Sequence, residues 1–292
     1  MRIDENGVHL HQSDLKNHCL EKLRLETVAV GPRIENDAAT VGTTLHSVIE
    51  HELRNGPCDN EFHCEAVAAN LYLGLLEQYQ AEGRPYALSS FGSHDRAISQ
   101  LVGVTRAWYR STERQQLLAG SQLPQVEWNF DLPFCEVEVK KFGKRAEVVP
   151  VWLAGTADIV LPNAVWDWKT AGSEYRRWEY QRWGRQPDVY SWAAAQAGLL
   201  EPDPNTGLFV FEFKVFVRGT NPDMGCQTVS VDRSPNNWGW LQQIVSRLVN
   251  FSYNMGLDRE WPLDDQHVLC SPKWCTFWGM CKGSQVDGGT WV

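Results

Sequence analysis

Apolar positions recur at helical spacing through roughly the first 120 residues, then give way to alternating, strand-like stretches in the middle of the chain. Over 13–27, Ser13 can serve as an N-cap, and Leu15, Cys19, Leu20 and Leu23 fall on one helical face. A second helix is predicted over 37–53, with His46 and Glu50 one turn apart. Two more amphipathic helices are expected at about 61–81 and 94–118. Strands are predicted at 126–132 and, after a basic turn around 140–145, at 148–153. The segment 155–169 reads as a hairpin: Asp158 precedes an apolar run, Pro162 and Asn163 make the turn, and a second apolar strand leads into Asp167-Trp168-Lys169. A helix at about 187–197 follows, and Pro187 suits its first turn. A long strand over 207–217 with a partner at 228–231 and a last helix over 236–254 complete the pattern. The order predicts an α/β fold, a short mixed sheet flanked by helices inside an N-terminal helical wrapper. With no internal repeat and no long linker, 1–292 is expected to form a single domain: 1–120 the wrapper, 121–235 the core, 236–292 a helix and a cysteine loop.

Composition narrows the picture only in places. A length of 292 residues with 43% hydrophobic content is ample for a core. The leading segment MRIDENGVHLHQSDL is polar, and no window approaches the roughly 18 apolar residues of a membrane span, so a soluble cytoplasmic protein with no membrane partner is expected. A net charge of −9 argues against indiscriminate coating of nucleic acid but leaves room for a local basic groove. Arg176, Arg177, Arg182 and Arg185 alternate with Tyr175, Trp178, Tyr180 and Trp183; such a segment either holds a single strand by phosphate contact and stacking or is a solvated amphipathic stretch.

The candidate chemistry centres on the hairpin. Side chains on a strand alternate, so Asp167 and Lys169 share a face, and Asp158 converges on them from the neighbouring strand. Two converging carboxylates make a hard oxygen site suited to Mg²⁺ or Mn²⁺, and a lysine beside it can orient or help deprotonate an attacking water. The alternative is an exposed hairpin with a solvated Asp and Lys. Of eight cysteines, Cys58, Cys64, Cys135 and Cys226 are scattered and expected to be structural thiols. Cys270, Cys275 and Cys281 are grouped near the chain's end, and Cys19 stands alone near its start; thiolates suit iron–sulfur or zinc equally.

These motifs, in this order, resemble the RecB-type branch of the PD-(D/E)XK nuclease superfamily, in particular iron–sulfur members such as the AddB nuclease domain and the CRISPR-adaptation exonucleases. Gly42-Thr-Thr-Leu-His46 looks like that branch's Gly-x-x-x-His helix, Asp158 with Asp167-Trp-Lys169 like its catalytic strands, Gln186-Pro-Asp-Val-Tyr190 like its Gln-x-x-x-Tyr helix, and Cys19 with the C-terminal triplet like its split [4Fe–4S] ligand set. The resemblance implies a restriction-endonuclease-like core with a C-terminal Fe–S loop. It also implies catalytic roles for Asp158, Asp167, Lys169, Gln186 and Tyr190, and a Mg²⁺ or Mn²⁺ site of His46, Asp158, Asp167 and the Trp168 main-chain carbonyl. Glu127 is a candidate outer ligand, and Zn²⁺ is the other occupant of the cysteine set. The expected activity is a metal-dependent DNA exonuclease acting mainly on single-stranded ends in recombination, repair or DNA processing. Alternatives are a CRISPR-adaptation trimming nuclease and a non-catalytic Fe–S module that binds DNA ends. No Gly-x-x-x-x-Gly-Lys-Ser/Thr loop is present, so the chain is expected to work alone or as the nuclease partner of a separate helicase or recombination protein.

Overall fold

In a computed structural model of the chain, the described residues are 1–16, 19–28, 35–120, 124–140, 145–178, 184–219, 225–262, 275 and 277. They divide into two compact units interleaved in sequence, one drawn from 1–33, 131–155 and 239–292 and the other from 34–130 and 156–238.

The first unit contains strands that the sequence reading did not foresee. β1 (Arg2–Asp4) and β2 (Gly7–His11) pair antiparallel, and β2 runs parallel to the first half of β6 (Glu147–Leu161), with Val8 opposite Val151 and His11 opposite Ala154. The strand was hidden because Val-His-Leu-His alternates over only four positions inside a polar leader; Val8 and Leu10 are nevertheless fully buried. Gly7 has φ +130°, and a Cβ there would sit 2.2 Å from the Pro150 carbonyl oxygen, so only glycine allows this approach. The helix expected over 13–27 appears as a 3₁₀ turn (Asp14–Lys16) and, further on, α1 (Leu20–Thr27). Buried Glu21 on α1 accepts hydrogen bonds from Arg24 Nε (2.8 Å) and the Trp261 amide (2.7 Å), and Arg24 donates to the Leu257 carbonyl (3.0 Å).

The second unit is built from the short parallel pair β3 (Glu35–Asn36) and β4 (Tyr86–Ala87), α2 (Asp37–Asn55), α3 (Glu61–Ala81), α4 (His94–Arg110), α5 (Thr112–Ala119), the second half of β6, β7 (Ala164–Ala171), α6 (Arg185–Gln196), β8 (Phe211–Val217) and β9 (Gln227–Ser230). Asn36, Asn60 and Ser93 cap the first three helices through their side-chain oxygens. The helix predicted over 94–118 breaks at Ser111, whose hydroxyl donates to the Trp108 carbonyl and accepts from the Arg114 amide, starting α5. β6–β7 is antiparallel, β7–β8 parallel with α6 in the crossover, and β8–β9 antiparallel, which is the mixed sheet expected. β5 (Gln125–Val139) and β6 are 15 residues each, longer than predicted.

Period-two alternation decides which side chains of β7 meet which layer. Trp166 and Trp168 enter the core with Val41, Leu45, Ile49, Leu101 and Trp108, where Trp168 meets Trp108 edge-on at 5.4 Å. Asp167 and Lys169 therefore point to the opposite face. The helix α7 (Pro235–Met255) buries Leu241, Val245, Val249 and Ser252 at helical spacing. No described helix is long and apolar enough to cross a membrane.

Candidate active site

The β6–β7 ladder pairs Ile159 with Trp166, and the next backbone groups are satisfied by side chains instead. The Trp168 amide donates to Asp158 Oδ2 (2.6 Å), and the Trp168 carbonyl accepts from His46 Nε2 (2.9 Å). A carbonyl carries no proton, so Nε2 is the protonated nitrogen in this arrangement, and Nδ1 faces Asp158 Oδ1 at 3.4 Å. His46 reaches this point because Gly42, one turn earlier on α2, lets the helix approach β7: a Cβ on Gly42 would lie 3.0 Å from Thr170 Oγ1. The Gly-x-x-x-His spacing thus has a packing cause.

Glu127 joins from β5. His46, Glu127 and Asp158 each offer one ligand atom, and these atoms lie within 4.8 Å of one another. Glu127 is the only non-glycine among the described residues with positive φ (49°), a backbone state that favours glycine and costs about 1 kcal/mol in other residues. Burial, then the nearby Asp158 charge, pushes its carboxyl up to about 7. Burial also opposes charge on Asp158, but His46, Lys169 and the Trp168 amide outweigh it and lower the pKa. For His46 burial works against the cation, and Asp158 more than offsets it, raising the pKa. Two crowded carboxylates with an imidazole are the donor set that a divalent cation such as Mn²⁺ or Mg²⁺ fits.

Asp167 forms the second half of the site. It is 1% exposed; Oδ1 accepts from Gln186 Nε2 (2.5 Å) on α6 and Oδ2 is ion-paired with Lys169. Burial raises the Asp167 pKa, with Lys169 opposing; burial disfavours the Lys169 cation, but Asp167 and Asp158 outweigh it and raise its pKa. The Asp167 ion pair and the raised pKa favour the ammonium form of Lys169, which suits it as a donor and charge partner. Tyr190, one turn beyond Gln186, hydrogen-bonds to it and packs edge-on against Phe130 at 5.6 Å, while burial raises its pKa.

The other expected residues divide. Arg176 and Arg177 are exposed, Arg177 lying 3.5 Å from Asp232; Arg185 is half-buried, with burial lowering its pKa; Arg182 lies outside the described residues. Cys19 directly precedes α1, Cys275 is half-buried, and Cys270 and Cys281 lie outside the described residues. A second group of three donors, Glu52, Cys58 and Cys64, also falls within 4.8 Å. Its carboxylate is already occupied: Arg114 donates to both oxygens (2.7 and 2.9 Å), Trp108 Nε1 to one and the Cys58 amide to the other. Burial raises both thiol pKa values, which disfavours the thiolate form that a metal would need.

Sequence reasoning missed two residues that hold α6. Arg233 ion-pairs with Asp188 (2.5 Å), both side chains 3% exposed, and donates to the Gly184 carbonyl (3.2 Å). Asp188 lay in view inside the Gln186–Tyr190 motif; nothing in the sequence marks Arg233 as its partner.

Among known proteins, no curated protein matches the chain. Two solved structures are similar: a "Putative exonuclease" from Eubacterium rectale (13% identity, covering 90% of this chain and 86% of that one, TM-score 0.47) and SSO0001 (12% identity, 90% and 94%, TM-score 0.30). The model of the PD-(D/E)XK nuclease superfamily matches residues 15–282, and with that span, which holds every carboxylate, lysine and imidazole of the site, the chain belongs to the PD-(D/E)XK nuclease superfamily.

Proposed function

We propose that this chain is a Mg²⁺- or Mn²⁺-dependent deoxyribonuclease that hydrolyses phosphodiester bonds, mainly from single-stranded DNA ends. The observation that carries the reading is the convergence of His46, Glu127 and Asp158 within 4.8 Å beside buried Asp167 and its half-buried partner Lys169. His46, Glu127 and Asp158 would hold the cation, with Asp167 turned toward Lys169 and Gln186. A bound divalent ion supplies Lewis acidity at the scissile phosphate and favours ionisation of water. The chain's own groups do the rest. Lys169 presents its ammonium to the attacking water or the phosphate, Asp167 fixes that ammonium, and Gln186 fixes Asp167. Trp178, 59% exposed beside Arg176 and Arg177, offers a face for base stacking next to phosphate-binding charge.

We further propose that Cys19, Cys270, Cys275 and Cys281 hold a [4Fe–4S] cluster, with zinc the other occupant. The support is that α1 and the 257–261 segment are already tied through Glu21 and Arg24, which puts the start of one helix beside the chain leading to the triplet.

The test is digestion of single strands labelled at either end, with Mg²⁺ and with Mn²⁺. Progressive shortening is expected, with cleavage abolished in Asp158→Ala, Asp167→Ala and Lys169→Ala while DNA binding persists. Near wild-type cleavage by Asp167→Ala would overturn the assignment.

A further inference from the structure

The Gln186–Asp167 hydrogen bond joins α6 to β7, and it is only as well placed as the first turn of α6 is. That turn has no side-chain cap of its own: the residue before it is Gly184. Arg233 brackets it instead. One guanidinium nitrogen, Nε, lies 2.5 Å from Asp188 Oδ1, and another donates to the Gly184 carbonyl at 3.2 Å, so the residues two before and two after Gln186 are held by one planar group. Arg233 is itself pinned: its amide donates to the Phe209 carbonyl and the Phe209 amide donates to its carbonyl, both at 2.8 Å, and Nη1 donates to the Asp232 carbonyl at 3.1 Å. The chain of contacts therefore runs from the strand region at Phe209 through Arg233 to Gly184 and Asp188, then to Gln186, Asp167 and Lys169.

Resting on the nuclease reading above, we infer that Arg233 and Asp188 are positioning residues for the reaction: their buried pair fixes the start of α6 so that Gln186 holds Asp167, and through it Lys169, in the reacting geometry. Neither side chain is exposed enough to grip a polymer, each being 3% exposed, so the effect falls on turnover rather than on DNA affinity. A lysine in place of Arg233 keeps the charge and loses the fork, which is the part that reaches Gly184 and Asp188 together.

A double-variant cycle on the full chain tests this, using a labelled single-stranded oligonucleotide with Mn²⁺ and reading kcat, KM and unfolding temperature. Gln186→Ala alone is expected to lower kcat on the order of tenfold, and Arg233→Lys alone by a similar factor with KM little changed. In the Gln186→Ala background, Arg233→Lys should add no further loss of kcat, because the link it serves is already cut. Multiplying losses would overturn the inference and leave Arg233 a purely structural residue. Full kcat in Gln186→Ala would instead show that the reading of Gln186 had failed. Should Arg233→Lys not fold, Asp188→Asn takes its place in the same cycle with the same two outcomes.

Discussion

Glu127 carries the sharpest conflict at the scale of single residues: a left-handed backbone, and a half-buried carboxyl pushed up to about 7 beside Asp158. Strain of this kind persists where the surrounding structure needs the residue for something else, and here that is the third donor of the His46–Asp158 group. Glu127→Gly should therefore gain about 1 kcal/mol of stability in chelator by relieving the backbone. It should also lose most of the rise in unfolding temperature that Mn²⁺ gives the wild type. Thermal melts with and without Mn²⁺ check both; an unchanged Mn²⁺ shift would remove Glu127 from the metal site. That Asp167 and Lys169 share a face with Asp158 opposite was legible because a strand's period of two is rigid, whereas their role as a site rested on the resemblance and not on spacing. The strain at Glu127 was not, since nothing in Val-Glu-Trp signals a positive φ.

Among the elements, α2, α4 and α5 are locked together by a carboxylate rather than by apolar contact alone. Glu52 is fully buried and accepts from Arg114, Trp108 and the Cys58 amide. Burial raises its pKa, but Arg114 and the two neutral donors outweigh this, and the folded pKa lies below the ordinary 4.5. A depressed carboxyl contributes stability above its unfolded pKa and loses it as pH falls through the folded value. Wild-type protein should thus lose stability on acidification below about pH 4.5, and Glu52→Gln should be less stable at neutral pH by about 3 kcal/mol, with a flatter acid limb, because the largely covered Arg114 guanidinium is left without its counter-charge. Denaturant titrations across this range give the comparison; parallel curves would mean that Glu52 is not ionised in the fold. Helix existence was readable from period and caps, whereas the break at Ser111 and the strands β1 and β2 were not, because a serine in mid-helix and a four-residue alternation each have commoner explanations.

Over the whole chain, the groups of the candidate site come from 34–130 and 156–238, while Cys19 and Cys275 belong to the other set of segments. The proposed clamp and the proposed chemistry are thus expected to be separable, which sets the final prediction. A cross-link closing a loop of about 250 residues removes on the order of 5 kcal/mol of freedom from the unfolded chain. The ties of Glu21 to Trp261 and Arg24 to Leu257 already join the same two stretches, so a cluster would reinforce a contact the fold makes without it. Replacing Cys19, Cys270, Cys275 or Cys281 by Ala should bleach the brown colour of anaerobically purified protein and lower its unfolding temperature. The intact carboxylates should still bind Mn²⁺. Replacing Cys58 or Cys64 should cost stability through lost packing alone and leave the colour, since burial keeps both as thiols. About one zinc per chain with no iron or sulfide would replace the cluster by a zinc clamp, and neither metal would remove the clamp altogether.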